Sequence, residues 1–150
     1  MISCSEPTAW SSKRARHGAT AASFAYNGNM NAVEFEGPVE SFEWGSYVVS
    51  GESFGKDIRV VGARGSEWKE RKGHELTAKM ITGLEPTAVD VLVIGNGVEG
   101  ALRCPENVLS EVRGMGFGRV VVMKTPEACR EYNRLYRSGL RAAMLAHGTC

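Results

Sequence analysis

Residues 89–94 constrain this chain most. Val89, Val91, Leu92, Val93 and Ile94 are interrupted only by Asp90. A strand with apolar side chains on both faces has no side to show to water, so it belongs at the centre of a sheet covered on both faces. Val120, Val121, Val122 and Met123 form a second such run, and residues 142–146 a short third one. Helical patterns separate the three. Pro105 can open the first helix, because an N1 proline loses no needed N–H, and Val108, Leu109 and Val112 give that helix its apolar face. Thr125-Pro126-Glu127 marks the second: a threonine cap, a proline at N1 and an acid near the positive end of the dipole. Ala128, Cys129, Tyr132, Leu135 and Tyr136 line one face of it, and Gly139 suits the left-handed position beyond its end. Strand–helix–strand–helix–strand with right-handed crossovers predicts three parallel strands.

The first half reads differently. Val33 and Phe35 alternate with Glu34 and Glu36; Val39, Phe42 and Trp44 follow, then Tyr47, Val48 and Val49, then residues 57–61 and 66–69. Short alternating runs between glycine turns predict antiparallel strands, either in the same sheet or in a small sheet packed on it. Leu76, Met80, Ile81 and Leu84 fall at helical spacing, so a helix is expected there, stopped by Pro86. The fold class is therefore α/β. Residues 33–150 make one domain, with antiparallel strands in its N-terminal half and three parallel strands in its C-terminal half. Residues 1–32 are read as a flexible or transit-like arm. They carry Lys13, Arg14 and Arg16 against Glu6 alone and are rich in Ser, Ala and Thr.

With 43% hydrophobic and 23% charged residues, the chain has enough apolar material for one core. A net charge of +1 gives no field strong enough to point to nucleic acid or an anionic membrane. No run approaches the roughly 20 apolar residues of a membrane helix, so no membrane insertion is expected. Cys4, Cys104, Cys129 and Cys150 show neither a CxxC pair nor zinc-ribbon spacing and are read as reduced thiols of an intracellular protein, in the cytoplasm or the mitochondrial matrix.

Gly95-Asn96-Gly97-Val98-Glu99-Gly100 matches G-x-G-x-x-G directly after a strand. A dinucleotide turn should open a helix and be followed by an acid at the end of the next strand. Here Pro105 delays the helix and Lys124 stands where the acid should be. No dinucleotide, and no other cofactor, is expected. Parallel strands would nevertheless bring Gly95, Asn96, Gly97, Lys124, Thr125 and His147 to one sheet edge, where open α/β sheets bind ligands. These six are the candidate lining of a pocket for a small molecule or anion, and a binding protein or cryptic enzyme using this edge is the alternative reading of the chain. His147 and Cys150 resemble a Cys–His pair, but no third group to orient His147 is evident, and the last residue is expected to fray. No catalytic residues and no metal ligands are assigned. Arg130, Arg134, Arg137 and Arg141 recur about once per turn, yet Glu127 and Glu131 interrupt them at pairing distance, so they read as a solvated face. Trp44 and Trp68 read as core or sheet-covering aromatics.

Several stretches in order resemble the MTH-type domain family, a domain of unknown function first seen in archaeal hypothetical proteins. They are Phe42-Glu43-Trp44-Gly45-Ser46-Tyr47, Lys56-Asp57-Ile58-Arg59-Val60, Trp68, Gly73-His74-Glu75-Leu76, Leu92-Val93-Ile94-Gly95-Asn96-Gly97, Thr125-Pro126-Glu127-Ala128, Glu131-Tyr132-Asn133 and His147-Gly148-Thr149-Cys150. The resemblance covers about residues 39–150. It implies a three-layer α/β fold with a mixed central sheet and no established activity. The family's members include a mitochondrial complex I assembly factor and an adipogenesis-associated protein. The resemblance thus points to a non-enzymatic interaction protein, an assembly factor or subunit with a protein partner. Asn96 stands where relatives commonly have Thr.

Overall fold

The computed structural model describes residues 32–150, so the basic arm read from the sequence lies almost entirely outside the described residues. In chain order the strands and α-helices are β1 (Val33–Glu34), β2 (Val39–Glu43), β3 (Ser46–Val49), β4 (Glu52–Gly55), β5 (Asp57–Val61), β6 (Arg64–Glu67), β7 (Val91–Gly95), α1 (Glu106–Arg113), β8 (Arg119–Met123), α2 (Thr125–Arg137) and β9 (Ala142–His147). Strands β1 to β4 form an antiparallel sheet in sequence order. The other five form a mixed sheet in the order β6-β5-β9-β7-β8. As the strand–helix–strand pattern predicts, β7, β8 and β9 are parallel; β7 lies between the other two, an order the sequence did not give. Strand β9 is the seam, since it runs parallel to β7 and antiparallel to β5.

Period-two alternation divides the core into two slabs. On one face of the mixed sheet, Val91 and Val93 of β7, Met144 and Ala146 of β9, and Ile58 and Val60 of β5 pack against Ala128, Cys129, Tyr132 and Leu135 of α2. Val39, Phe42, Tyr47 and Val49 of the antiparallel sheet complete that slab. On the other face, Leu92, Ile94, Ala143 and Leu145 meet Val112 of α1 together with Trp68, Leu76, Met80 and Leu102 from the connecting segments. The result is three layers: α2 and the small sheet, the mixed sheet, and α1 with its connectors. Strands β7 and β9 are buried at every position, which is what their continuous apolar runs require.

One expectation needs correction here, and one strand went unread. Residues 76–84 do not form an α-helix; they run as extended chain with one 3-10 turn at Ala78–Met80. Leu76 N donates to Arg103 O at 2.8 Å and Arg103 N donates to His74 O at 2.8 Å, which holds this segment beside residue 103 as extended chain. Trp68 Nε1 donates to Met80 O at 2.7 Å, which fixes the turn from below. The apolar spacing still identified the buried side chains, because Leu76 and Met80 both enter the core. Strand β4 was not visible in the sequence, since Phe54 is its only large apolar residue. It forms by antiparallel pairing with β3, and Phe54 packs on the core beside Gly65 of β6, where a Cβ would stand 2.7 Å from the ring.

Asn133 joins α2 to the small sheet. Its Oδ1 accepts from Val39 N at 3.1 Å and its Nδ2 donates to Val39 O at 2.8 Å, and the contact is buried. Gly37 allows this approach, since a Cβ there would be 2.4 Å from Asn133 Cγ. Asn133→Ala leaves a buried donor and a buried acceptor without partners. Urea unfolding should show a loss of about 2–4 kcal/mol in stability.

Candidate functional site

His147 closes β9 directly opposite Asp57 of β5, so antiparallel pairing sets the two side chains on one face. His147 Nδ1 lies 2.8 Å from Asp57 Oδ1, and Arg71 Nε donates to Asp57 Oδ2 at 2.9 Å. All three side chains are largely buried. Burial alone would raise the Asp57 pKa. The hydrogen bonds from His147 and Arg71, with the Arg71 charge, outweigh that and hold it below the usual carboxylate value. An ionised carboxylate only accepts, so Nδ1 carries the proton toward Asp57. His147 Nε2 is left facing Thr149 Oγ1 at 3.3 Å. Asp57 is thus the orienting third group for His147 that the sequence did not reveal, because 90 residues separate the two.

The three loop ends predicted to converge do converge. Asn96 N donates to Met123 O at 2.9 Å, and Thr125 N donates to Gly97 O at 3.0 Å. Thr125 Oγ1 accepts from Gly97 N at 2.9 Å and donates to His147 O at 2.7 Å. Thr125 is therefore not a helix cap. It is the first residue of α2, Lys124 occupies the cap position, and the hydroxyl is turned into the sheet. Gly95 makes room for it, since a Cβ at residue 95 would sit 2.8 Å from Thr125 Oγ1. Lys124 is exposed, with its stem passing Gly100.

The crevice these residues would line is filled by the chain itself. Val98 N donates to Thr149 O at 2.8 Å, Glu99 N to Cys150 O at 2.7 Å and Ala101 N to Cys150 O at 3.3 Å. The loop N–H groups that an anion would need are thus bonded to the carbonyls of residues 149–150. A Cβ on Gly97, whose φ is +108°, would fall 2.4 Å from the Cys150 carbonyl carbon. The expectation of a frayed end is thus overturned: Cys150 is 5% exposed. Pro105 is also the cap of α1 rather than its first residue, and α1 begins at Glu106, six residues after Gly100. The G-x-G-x-x-G match builds a clasp on residues 149–150.

Outside the clasp, Asn96 borders a shallow depression of about 510 Å³ shared with Glu75, Leu102, Arg103, Cys104 and Val122. Asn96 Oδ1 is buried with no hydrogen-bond partner among the described residues. Burial pushes the Cys104 thiol up to about 11, which keeps it protonated near neutrality. Cys104 and Cys129 are free thiols, whereas Cys150 is disulfide-bonded, so the expectation of reduced thiols fails at that position. Ligand atoms of His74, His147 and Cys150 lie within 4.8 Å of one another, a grouping that the sequence spacing did not indicate.

The arginine stripe is paired within the protein. Arg134 bridges Glu131 at 2.5 Å, Arg141 bridges Asp90 at 2.8 Å, Arg137 donates to Glu36 O, and Arg130 lies 5.4 Å from the centre of the Phe35 ring. Trp68 is core, and Trp44 is half-buried. No helix among the described residues is long and apolar enough to cross a membrane.

Gly97→Ala should free residues 149–150. Native-state hydrogen exchange should then lose protection at the Glu99 and Ala101 amides, with a stability loss above about 2 kcal/mol from the clash and the positive φ. A depressed carboxylate pKa contributes stability that is present above its unfolded value, near 3.9 for Asp, and lost as pH falls through the folded value. Wild type should therefore be more stable than Asp57→Asn at pH 7, and the gap should close as unfolding is measured at progressively more acid pH below about 4.

Residues 39–147 match the family model described as "Protein of unknown function (DUF498/DUF598)". The chain is also similar to three solved structures. A conserved hypothetical protein, PH1505 from Pyrococcus horikoshii OT3, is 21% identical with a TM-score of 0.61, over 75% of this chain and 98% of that one. The protein MT938 is 22% identical with a TM-score of 0.60, over 75% and 97%. A Bartonella henselae protein described as an outer membrane protein is 21% identical with a TM-score of 0.61, over 76% and 96%. At these identities the likeness concerns the fold.

Proposed function

The chain belongs to the DUF498/DUF598 family of proteins of unknown function, and from that premise we propose that it is a non-enzymatic interaction domain, a subunit or assembly factor of a larger complex. The observation that carries this reading is the outer edge of β8. Strand β8 ends the mixed sheet, and among the described residues no backbone hydrogen bond reaches its outer side. Four consecutive apolar residues, Val120 to Met123, stand on it without a proline, a glycine or a charge between them. Such an edge is a template for strand addition unless something covers it.

Asn96 N donates to Met123 O, so the peptide groups of Met123, and by alternation those of Val121 and Arg119, face β7. Those of Val120 and Val122 face outward. Arg119 and the exposed Lys124 bracket the run, so the matching partner is an extended apolar segment with acidic residues at its ends. The reading of the strand ends as a pocket for a small molecule or anion has less support, because the loop N–H groups already bond residues 149–150. In this proposal residues 1–32 are a transit-like segment ahead of an MTH-type domain at 33–150. Cytoplasm and mitochondrial matrix are the compartments it suits.

Val122→Pro removes one outward N–H without touching the β7 ladder. The complex purified natively on tagged wild type should protect the Val120 and Val122 amides from exchange relative to the isolated chain. Val122→Pro should elute from cell extract at the mass of the free chain with its circular dichroism unchanged. If wild type itself runs as the free chain, or Val122→Pro stays in the complex, the proposal is wrong.

A further inference from the structure

The Asp57–His147 pair has the geometry of a supported metal ligand. A histidine that binds a metal through one ring nitrogen usually donates the other N–H to a carboxylate, which fixes its tautomer and its plane. Asp57 accepts in this way from Nδ1, and Arg71 holds Asp57 in turn. Nε2 is then the ring nitrogen left for a metal once it exchanges its 3.3 Å contact with Thr149 Oγ1, and His74 and Cys150 stand close to His147. The His74 ring is edge-on to His147 with centroids 6.1 Å apart, and the three ligand atoms lie within 4.8 Å of one another. Tetrahedral zinc with bonds of about 2.0–2.3 Å needs ligand separations of about 3.5 Å. Closing that difference takes small side-chain movements, and the clasp of Gly97, Glu99 and Ala101 on residues 149–150 holds Cys150 in place meanwhile.

We propose that His74, His147 and Cys150 form a site of two imidazoles and one thiolate for Zn²⁺ that becomes available when the Cys150 disulfide is reduced. This donor set is one that zinc favours, and three protein ligands leave a fourth position for water or a partner's side chain. The disulfide keeps the Cys150 sulfur from the metal in the structure as it stands. A dithiol reductant supplies two electrons and two protons, the S–S bond breaks to two thiols, and the reductant becomes the disulfide. Binding then replaces the Cys150 S–H bond with an S–Zn bond and releases the proton to solvent. Disulfide and metal are thus alternative states of one sulfur, and the β8 proposal does not depend on either.

The full chain, reduced and then freed of reductant, is titrated with Co²⁺ as a spectroscopic probe and then with Zn²⁺. One equivalent of Co²⁺ should give a sulfur-to-cobalt charge-transfer band and the visible spectrum of a tetrahedral site, both displaced by Zn²⁺. The oxidised chain should give neither. Cys150→Ser should abolish the charge-transfer band, and Cys104→Ser should keep it. His74→Ala, at a half-exposed position, should weaken binding at least about tenfold, and Asp57→Asn should weaken it about 10–100-fold. Absence of the band in reduced wild type overturns the site. So does equal binding by the oxidised chain, or full-strength binding by His74→Ala. Folding of each variant is followed by circular dichroism. If Cys150→Ser unfolds, the comparison of reduced with oxidised wild type decides.

Discussion

Thr125 Oγ1 accepts from Gly97 N and donates to His147 O, and these two bonds tie the ends of β7 and β9 to the start of α2. The hydroxyl is completely buried, so neither bond competes with water. Much else follows from this tie. Gly95 must lack a side chain for Thr125 to enter, and Gly97 must take a positive φ to present its N–H. The following amides then face residues 149–150 and hold them. A hydroxyl placed as though to cap a helix instead organises the C-terminal ends of a parallel sheet.

The second constraint is electrostatic. Asp57 is buried with two cationic or proton-donating partners, and its burial cost is offset only while both remain in place. That couples β5, β9 and the segment carrying Arg71. Tyr47 adds to the same corner from the small sheet, donating to Ala146 O at 3.2 Å. A polar cluster of this kind, fully hydrogen-bonded, fixes the register of β5 against β9, because a one-residue slip would leave Asp57 facing apolar side chains. It also fixes the plane of the His147 ring, with Nδ1 committed to Asp57 and Nε2 facing Thr149 Oγ1.

Periodicity made the fold legible to the extent that local pattern determines it. The buried runs of β7 and β9 and the helix faces of α1 and α2 were readable because each element shows its burial in its own residues, whereas the equally apolar run of β8, expected to be buried as well, ends the sheet half-buried, because strand order is not written in a strand's own residues. The Leu76 segment misled because helical spacing and irregular burial leave the same imprint when a chain crosses a core obliquely. Strand β4 was invisible because Phe54 is its one large apolar residue and its pairing partner is β3, which its own residues do not specify. The gathering of Gly97, Thr125 and His147 followed from parallel topology, but the filling of that edge by residues 149–150 did not, since nothing local says where a chain end goes.

The sequence by itself determined the α/β class, the three parallel strands, the poor fit of the glycine turn to a dinucleotide and the resemblance that the family match bears out. Those rest on side-chain periodicity and turn chemistry, which act over a few residues. Only the tertiary structure decided that Asp57 orients His147, that His74 stands beside it, and that the glycine loop holds the carbonyls of residues 149–150. Each of these depends on residues brought together across roughly 50 to 90 positions by strand register. No pattern within a single element encodes that distance.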